Sequence, residues 1–212
     1  SSDTTGRDTP PPYELRQPAR QSVPFIYASP HSGATYPPGF VAAAALDPMA
    51  LRRSEDAFVD RLFGAAPGLG APLLAATYPR VYVDLNREPY ELDPTMYEDA
   101  LPDYVNARSP RVAAGLGTIA RVVASGEDIY RDKLRFQDAR RRIESLYTPY
   151  HRALAGMIES TRRRFGVCIL IDCHSMPSVG GPMDHDAGRR RVDFVLGDVF
   201  GTTCAPFVTD AV

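Results

Sequence analysis

Two short stretches bring an apolar run to a halt on histidine. "FIYASPHSG" ends at His31, followed by Ser32, and "ILIDCHS" passes through Asp172 to reach His174 and Ser175. Neutral imidazole suits zinc, and a catalytic zinc site typically takes three protein ligands and keeps a position for water. Two histidines at two strand ends supply two such ligands. The third is expected from "SEDAF", as Asp56 or Glu55, although acids in the first turn of a helix are also favoured by its macrodipole. Asp172 has the chemistry of an outer acceptor that orients an imidazole, with Ser32 and Ser175 as neighbouring polar partners. In "VDLNREP", Arg87 beside Asn86 suits the two-pronged binding of a substrate carboxylate, and Arg80 is a second anion contact. An Arg87–Asp84 pair bracing the loop explains the same residues without a ligand. His151 reads as a structural helix residue and His185 as a solvated loop residue. A serine hydrolase built on Ser32 or Ser175 lacks the G-x-S-x-G elbow.

These residues need elements to carry them. A strand is expected over Pro24–Ala28, followed by a loop at Ser29–Gly39 that is rich in Pro and Gly. Ser54 is placed as the N-cap of a helix, with Glu55 and Asp56 in its first turn and Phe58, Val59, Leu62 and Phe63 on its apolar face. Pro67, Gly68 and Gly70 should end it. "PLLAATY" and "RVYVDLNR" read as two short strands separated by Pro79. Residues 88–129 are irregular apart from a helical stretch near Ile119–Ala124, and an unstructured region that long is usually functional. A long amphipathic helix follows, with Ile143, Leu146, Tyr150, Leu154, Met157 and Ile158 on one face. Pro149 is a candidate kink and Gly166 the C′ residue. Strands are expected at Val167–Cys173 and Val192–Asp198. Alternating strands and helices, with strands nearly continuous in apolar residues, imply an α/β fold whose mostly parallel sheet is covered on both faces. In such sheets ligands bind at the carboxyl ends of the strands, where His31, Asp84–Arg87 and His174 all fall.

Composition bounds the function. The chain has 212 residues, 44% hydrophobic and 24% charged, which suits one globular domain over residues 23–212 after a polar, Pro-rich lead-in at residues 1–22. A net charge of −2 gives no footprint for nucleic acid, and the basic runs Arg162–Arg164 and Arg189–Arg191 read as solvated. Three cysteines without CxxC spacing argue against a disulfide framework and for a reducing, cytoplasmic setting. No apolar run is long enough to span a membrane. The oligomeric state is left open.

Taken together, "SPHSGATYPPGF", "SEDAFVDRLF", "YPRVYVDLNREP", "YTPYHRAL" and "LIDCHSMPS" closely resemble the N-formylglutamate amidohydrolases, in order from about Phe25 to Pro177. The resemblance implies a three-layer α/β/α fold with a mixed, mostly parallel sheet, like that of zinc carboxypeptidases and aspartoacylases. It implies hydrolysis of a small-molecule N-acyl amino acid, N-formyl-L-glutamate, to formate and glutamate, a late step of histidine degradation in some bacteria. It makes His31, His174 and, in preference to Glu55, Asp56 the ligands of one zinc ion. Asn86 and Arg87 become the grip on the substrate carboxylate. The family's proton-shuttling glutamate lies in a later segment resembling "QIEIN", which has no counterpart in this sequence. The chain therefore reads as incomplete at its C-terminal end, with the general base unassigned and Glu88 as the available acid. Other expectations of the same architecture are a metallo-deacylase or carboxypeptidase for another N-acyl amino acid or peptide, and a non-catalytic metal- or anion-binding domain.

Overall fold

The computed structural model describes residues 9–181 and 185–210, and the expected lead-in's residues 1–8 lie outside that range. The chain divides into two compact units, residues 1–175 and 176–212. Among the described residues, the first unit holds a four-stranded mixed sheet: β1 (Tyr13–Arg16), β2 (Phe25–Ser29), β3 (Leu73–Ala76) and β4 (Ile169–Asp172) in the order β1-β3-β2-β4. β2 runs parallel to both β3 and β4, and β1 closes one edge antiparallel to β3. The fold is thus α/β, with helices around a mostly parallel sheet.

The apolar runs "FIYA", "LLAA" and "ILI" make the three parallel strands. β3 is buried throughout, and its neighbours contribute Ile26 and Ala28 to the same core. Leu74, Tyr78, Leu146 and Tyr150 pack together in one cluster, and Phe40, Leu51, Val81 and Ile129 in a second. Because Ala28 pairs with Asp172, the two strands carrying the histidines end at the same level. The ladder continues one step further, where the Cys173 N–H donates to the Ala28 carbonyl at 2.7 Å.

Several expected elements differ. β1 lies inside the expected lead-in, because "YELR" finds the free edge of β3. The expected loop at Ser29–Gly39 ends in a short helix, α1 (Pro38–Ala43), with proline at its start where the missing N–H is not needed. A further short helix, α2 (Pro48–Arg52), is capped by the Asp47 side chain. Ser54 is no N-cap: its Oγ accepts from the Ala124 N–H at 3.0 Å, and α3 (Val59–Leu62) starts only after Phe58. Of its expected apolar face Val59 is buried, whereas Phe58 and Leu62 are exposed. "RVYVDLNR" is not a strand. After Pro79 the chain turns, Tyr82 and Val83 donating to the Pro79 carbonyl and Asp84 to the Thr118 carbonyl. Ile119, Ala120, Val122 and Val123 are buried but the stretch is not helical: the Arg121 and Val122 N–H groups go to the Gly115 carbonyl and that of Val123 to the Glu127 carbonyl, and the α-helix of this region is α4 (Pro110–Ala113). The long helix is α5 (Phe136–Arg142) joined to α6 (Thr148–Phe165) through a π turn at Ile143–Tyr147. Gly166, left-handed at φ 76°, ends it.

The second unit, described by itself, holds isolated bridges Val179–Arg190 and Gly180–Ala187, an Arg191–Asp186 ion pair and α7 (Pro206–Asp210). Val192–Asp198 forms no strand, because it meets no pairing partner among the described residues.

Candidate metal centre

The site grows from the ends of β2 and β4. After β2 the chain passes Pro30 to His31 and then lies flat on residues 77–78: a Cβ at Gly33 would stand 2.3 Å from the Tyr78 carbonyl oxygen. Only glycine allows that approach, and the Thr35 N–H bond to the Thr77 carbonyl fixes it. His31 is thereby buried, 2% exposed. After β4, Cys173 turns into the core and His174 faces the open side, its side chain 34% exposed.

Asp56 joins the two. Its N–H donates to the His31 carbonyl at 3.1 Å, so it belongs to the His31 turn rather than to a helix start. Phe58, left-handed at φ 66°, re-aims the backbone between Asp56 and α3, a conformation that stores about 1–3 kcal/mol in a non-glycine residue. Asp56 Oδ2 lies 2.8 Å from His174 Nδ1 and 3.4 Å from His31 Nδ1, and its Oδ1 accepts from Ser175 Oγ at 3.1 Å. The two imidazoles lie 4.8 Å apart between centroids. Ligand atoms of His31, Asp56 and His174 all fall within 4.8 Å of one another.

Each imidazole turns its other nitrogen to a second carboxylate. His31 Nε2 donates to Asp84 Oδ1 at 2.8 Å and His174 Nε2 to Asp172 Oδ2 at 3.0 Å. The Asp84 pair favours the His31 tautomer that leaves Nδ1 free of its proton when the ring is neutral, whereas His174 has a carboxylate at each nitrogen and the Asn86 amide 2.9 Å from its Nε2. Carboxylate–imidazole pairing of this kind is the usual support of a metal-ligating histidine. Among the described residues, buried His31 Nδ1 has no hydrogen-bond partner and lies 3.4 Å from Asp56 Oδ2. Burial pushes the Asp56 carboxyl up, but the imidazoles of His174, at 2.8 Å, and His31, at 3.4 Å, outweigh it and hold the group below the usual range. Asp84 is likewise held low, the His31 bond and the charges of His31, Arg80 and Arg87 overcoming its burial. Burial pushes His174 down, and Asp172 and Asp56 more than reverse this, raising it to about 9. Two nitrogens and a carboxylate oxygen, with one side open, form a cluster that could hold a metal ion.

The other residues singled out in the sequence lie as follows. Glu55 points elsewhere, accepting from Tyr36 Oη at 2.6 Å and pairing with Arg52 at 3.1 Å. Asn86 Nδ2 donates to Asp172 Oδ2 at 2.7 Å, and its N–H to Asp84 Oδ1 at 2.9 Å. Arg80 pairs with Asp84 at 2.8 Å, while Arg87 is 3.7 Å from that carboxylate and bonds the Leu116 and Asn86 carbonyls. Ser32 stays behind His31, accepting from Ser29 Oγ at 2.8 Å. Glu88 is engaged by Asn106 at 2.8 Å. His151 bonds the Leu85 carbonyl at 2.8 Å, and His185 is exposed. Sequence reasoning weighed Asp84 only as an arginine partner, and it proves to be the carboxylate behind His31. Its signal was the shared pattern of an acid at the end of an apolar run, in "VYVD" as in "ILID".

Comparison with known proteins now decides the family. A model described as N-formylglutamate amidohydrolase matches residues 23–212. The chain belongs to that family. It is 31% identical over 189 residues to an N-formylglutamate deformylase of Pseudomonas aeruginosa, covering 88% of this chain and 64% of that protein. It is 28% identical over 157 residues to a deformylase of the same name from Pseudomonas putida, covering 73% of this chain and 52% of the other. The chain thus spans between half and two thirds of the length of these relatives. A crystal structure of N-formylglutamate amidohydrolase from Ralstonia eutropha is 39% identical and superposes with a TM-score of 0.82, covering 94% of this chain and 70% of that one. No helix among the described residues is long and apolar enough to cross a membrane.

Proposed function

We propose that the chain carries the metal centre of a zinc-dependent amidohydrolase that cleaves N-formyl-L-glutamate to formate and L-glutamate. One observation carries the reading: both Nδ1 atoms face the same Asp56 oxygen while both Nε2 atoms are held by carboxylates. His31, Asp56 and His174 would hold the ion. It would supply Lewis acidity toward the formyl oxygen and make water acidic enough to deprotonate near neutral pH.

The chain's own groups do the rest. Asp84 and Asp172 keep the Nε2 protons in place, so that the Nδ1 lone pairs stay available. Arg87 is fixed by two backbone carbonyls with Asn86 beside it, which suits the orientation of a substrate carboxylate rather than bond-making. Arg80 lies on the same side of Asp84 as a further cation.

Formate release from N-formylglutamate, N-acetylaspartate and a C-terminal peptide separates this reading from a deacylase or carboxypeptidase of other specificity. About one zinc per chain is expected from three-ligand logic. Zinc bound at that ratio with no turnover of any of the three by the whole protein would leave a metal-binding domain. No zinc at all, even after addition of the metal, removes the ligand assignment.

A further inference from the structure

The motif "YTPYHRAL" at residues 147–154 has no part in the centre so far. It sits where α5 passes through the π turn into α6. Pro149 has no N–H to give to the Ser145 carbonyl, and its ring crowds that carbonyl, so regular α-helical bonding cannot pass through it. The widened turn just before it absorbs the misfit, and such π turns recur at functional sites. Tyr147 and His151 then lie on one face, four residues apart, with ring centroids 4.1 Å apart and planes at 32°. The Tyr147 hydroxyl donates to the Arg87 carbonyl at 2.7 Å, and His151 Nε2 donates to the Leu85 carbonyl at 2.8 Å. Burial raises the Tyr147 phenol above its ordinary pKa, so it remains a donor.

Those two carbonyls belong to a segment whose residues alternate in direction. The side chains of Asp84 and Asn86 reach His31 and Asp172, and the carbonyls of Leu85 and Arg87 reach the helix. One helix face therefore grips, through every second peptide, the segment that supports both imidazoles. We infer that Tyr147 and His151 are positioning residues: they set the depth of segment 84–87 and, through Asp84 and Asn86, the aim of the two histidines. This rests on the reading of His31, Asp56 and His174 as a metal centre. Neither residue touches a proposed ligand, so their effect must travel through the segment.

Tyr147→Phe keeps the ring and its packing and removes only the donated bond. His151→Phe does the same for the second bond, and His151→Gln restores an N–H donor near the position of Nε2. Zinc affinity, measured by competition with a chelator, should weaken about 2- to 10-fold for each Phe variant, the span of one net hydrogen bond. His151→Gln should recover to within about twofold of the parent. In an Asp84→Asn/Asn86→Ala background, Tyr147→Phe should change zinc affinity by less than about twofold, because the route through the segment is already cut. In zinc-free protein, amide exchange at Asp84 and Asn86 should accelerate in the Tyr147→Phe/His151→Phe double variant while β2 and β3 amides keep their protection.

Unchanged zinc affinity and unchanged exchange in the double variant overturn the inference and leave the metal reading standing. An effect that persists in full in the Asp84→Asn/Asn86→Ala background also overturns it, since the residues would then act by another route. A parent protein that binds no zinc overturns the metal reading instead, and the exchange measurement still decides whether the helix holds the segment.

Discussion

Asp84→Asn is the sharpest single perturbation, because it keeps shape and changes only charge and donor pattern. Asp84 accepts three bonds, from His31 Nε2 at 2.8 Å, Asn86 N–H at 2.9 Å and Arg80 at 2.8 Å. An asparagine offers one oxygen and one amide. With the oxygen toward His31 and Asn86, the amide meets Arg80, which is 25% exposed and can turn to water. With the amide toward His31, two donors collide, and the imidazole escapes only by moving its proton to Nδ1, the atom that faces Asp56. Either orientation forfeits a charge-assisted bond worth about 1.5–3 kcal/mol. Loss of an outer partner of a metal-ligating histidine independently gives about 10- to 100-fold in affinity, or about 1.4–2.7 kcal/mol. The two magnitudes agree, so zinc affinity should fall by one to two orders of magnitude in a chelator-competition titration, with unchanged far-ultraviolet circular dichroism. An affinity within about threefold of the parent, in a folded variant, refutes the claim that Asp84 sets the His31 tautomer.

Other outcomes follow from the same geometry. Asp56→Ala should weaken zinc binding beyond about 100-fold, since a direct ligand is lost, whereas Glu55→Gln should stay within about threefold; reversed results in the same titration would exchange their roles. Stripping zinc with a chelator should lower the thermal midpoint by about 5–10 °C relative to protein at a hundredfold excess of metal over Kd, and adding zinc should restore it. Gly33→Ala, whose Cβ would meet the Tyr78 carbonyl at 2.3 Å, should displace the His31 turn and reduce bound zinc per chain by elemental analysis. Leu74→Ala in the centre of β3 should cost about 2–5 kcal/mol in denaturant unfolding without abolishing zinc binding in the folded fraction.

What the sequence made legible was whatever depends on local chemistry with one dominant partner. "FIYAS" and "ILID" are apolar runs that form parallel strands as read, although β4 leaves Leu170 exposed, and a histidine just past each end follows directly. The left-handed Phe58 and the start of α3 were hidden, because Ser54 has every local mark of an N-cap and is claimed instead by an N–H 70 residues away. "RVYVDLNR" has the β-branched content of a strand, but its N–H groups go to Pro79 and Thr118, and no composition signal shows that competition. Asp84 was read in part: its expected pairing with Arg87 is present at 3.7 Å, and its bond to His31 was missed for a related reason. Arg80 and Arg87 are its neighbours in sequence, and His31, its partner 53 residues away, is a neighbour only in space.

The order in which the centre comes together has a consequence for how it acquires its ion. His31 and Asp56 meet early along the chain, but Asp56 and His174 are separated by 118 residues, and only the pairing of β2 with β4 closes that distance. Closing so long a loop costs about 4 kcal/mol of chain entropy, which the pairing of β2 with β4 meets whether or not an ion is present. During synthesis the last imidazole emerges after almost all of the first unit. On the proposed reading the sheet is the template and the ion its late occupant, the reverse of a zinc finger, where the metal organises the chain. A protein made under zinc starvation should accumulate as folded, loadable apoprotein rather than as unfolded chain.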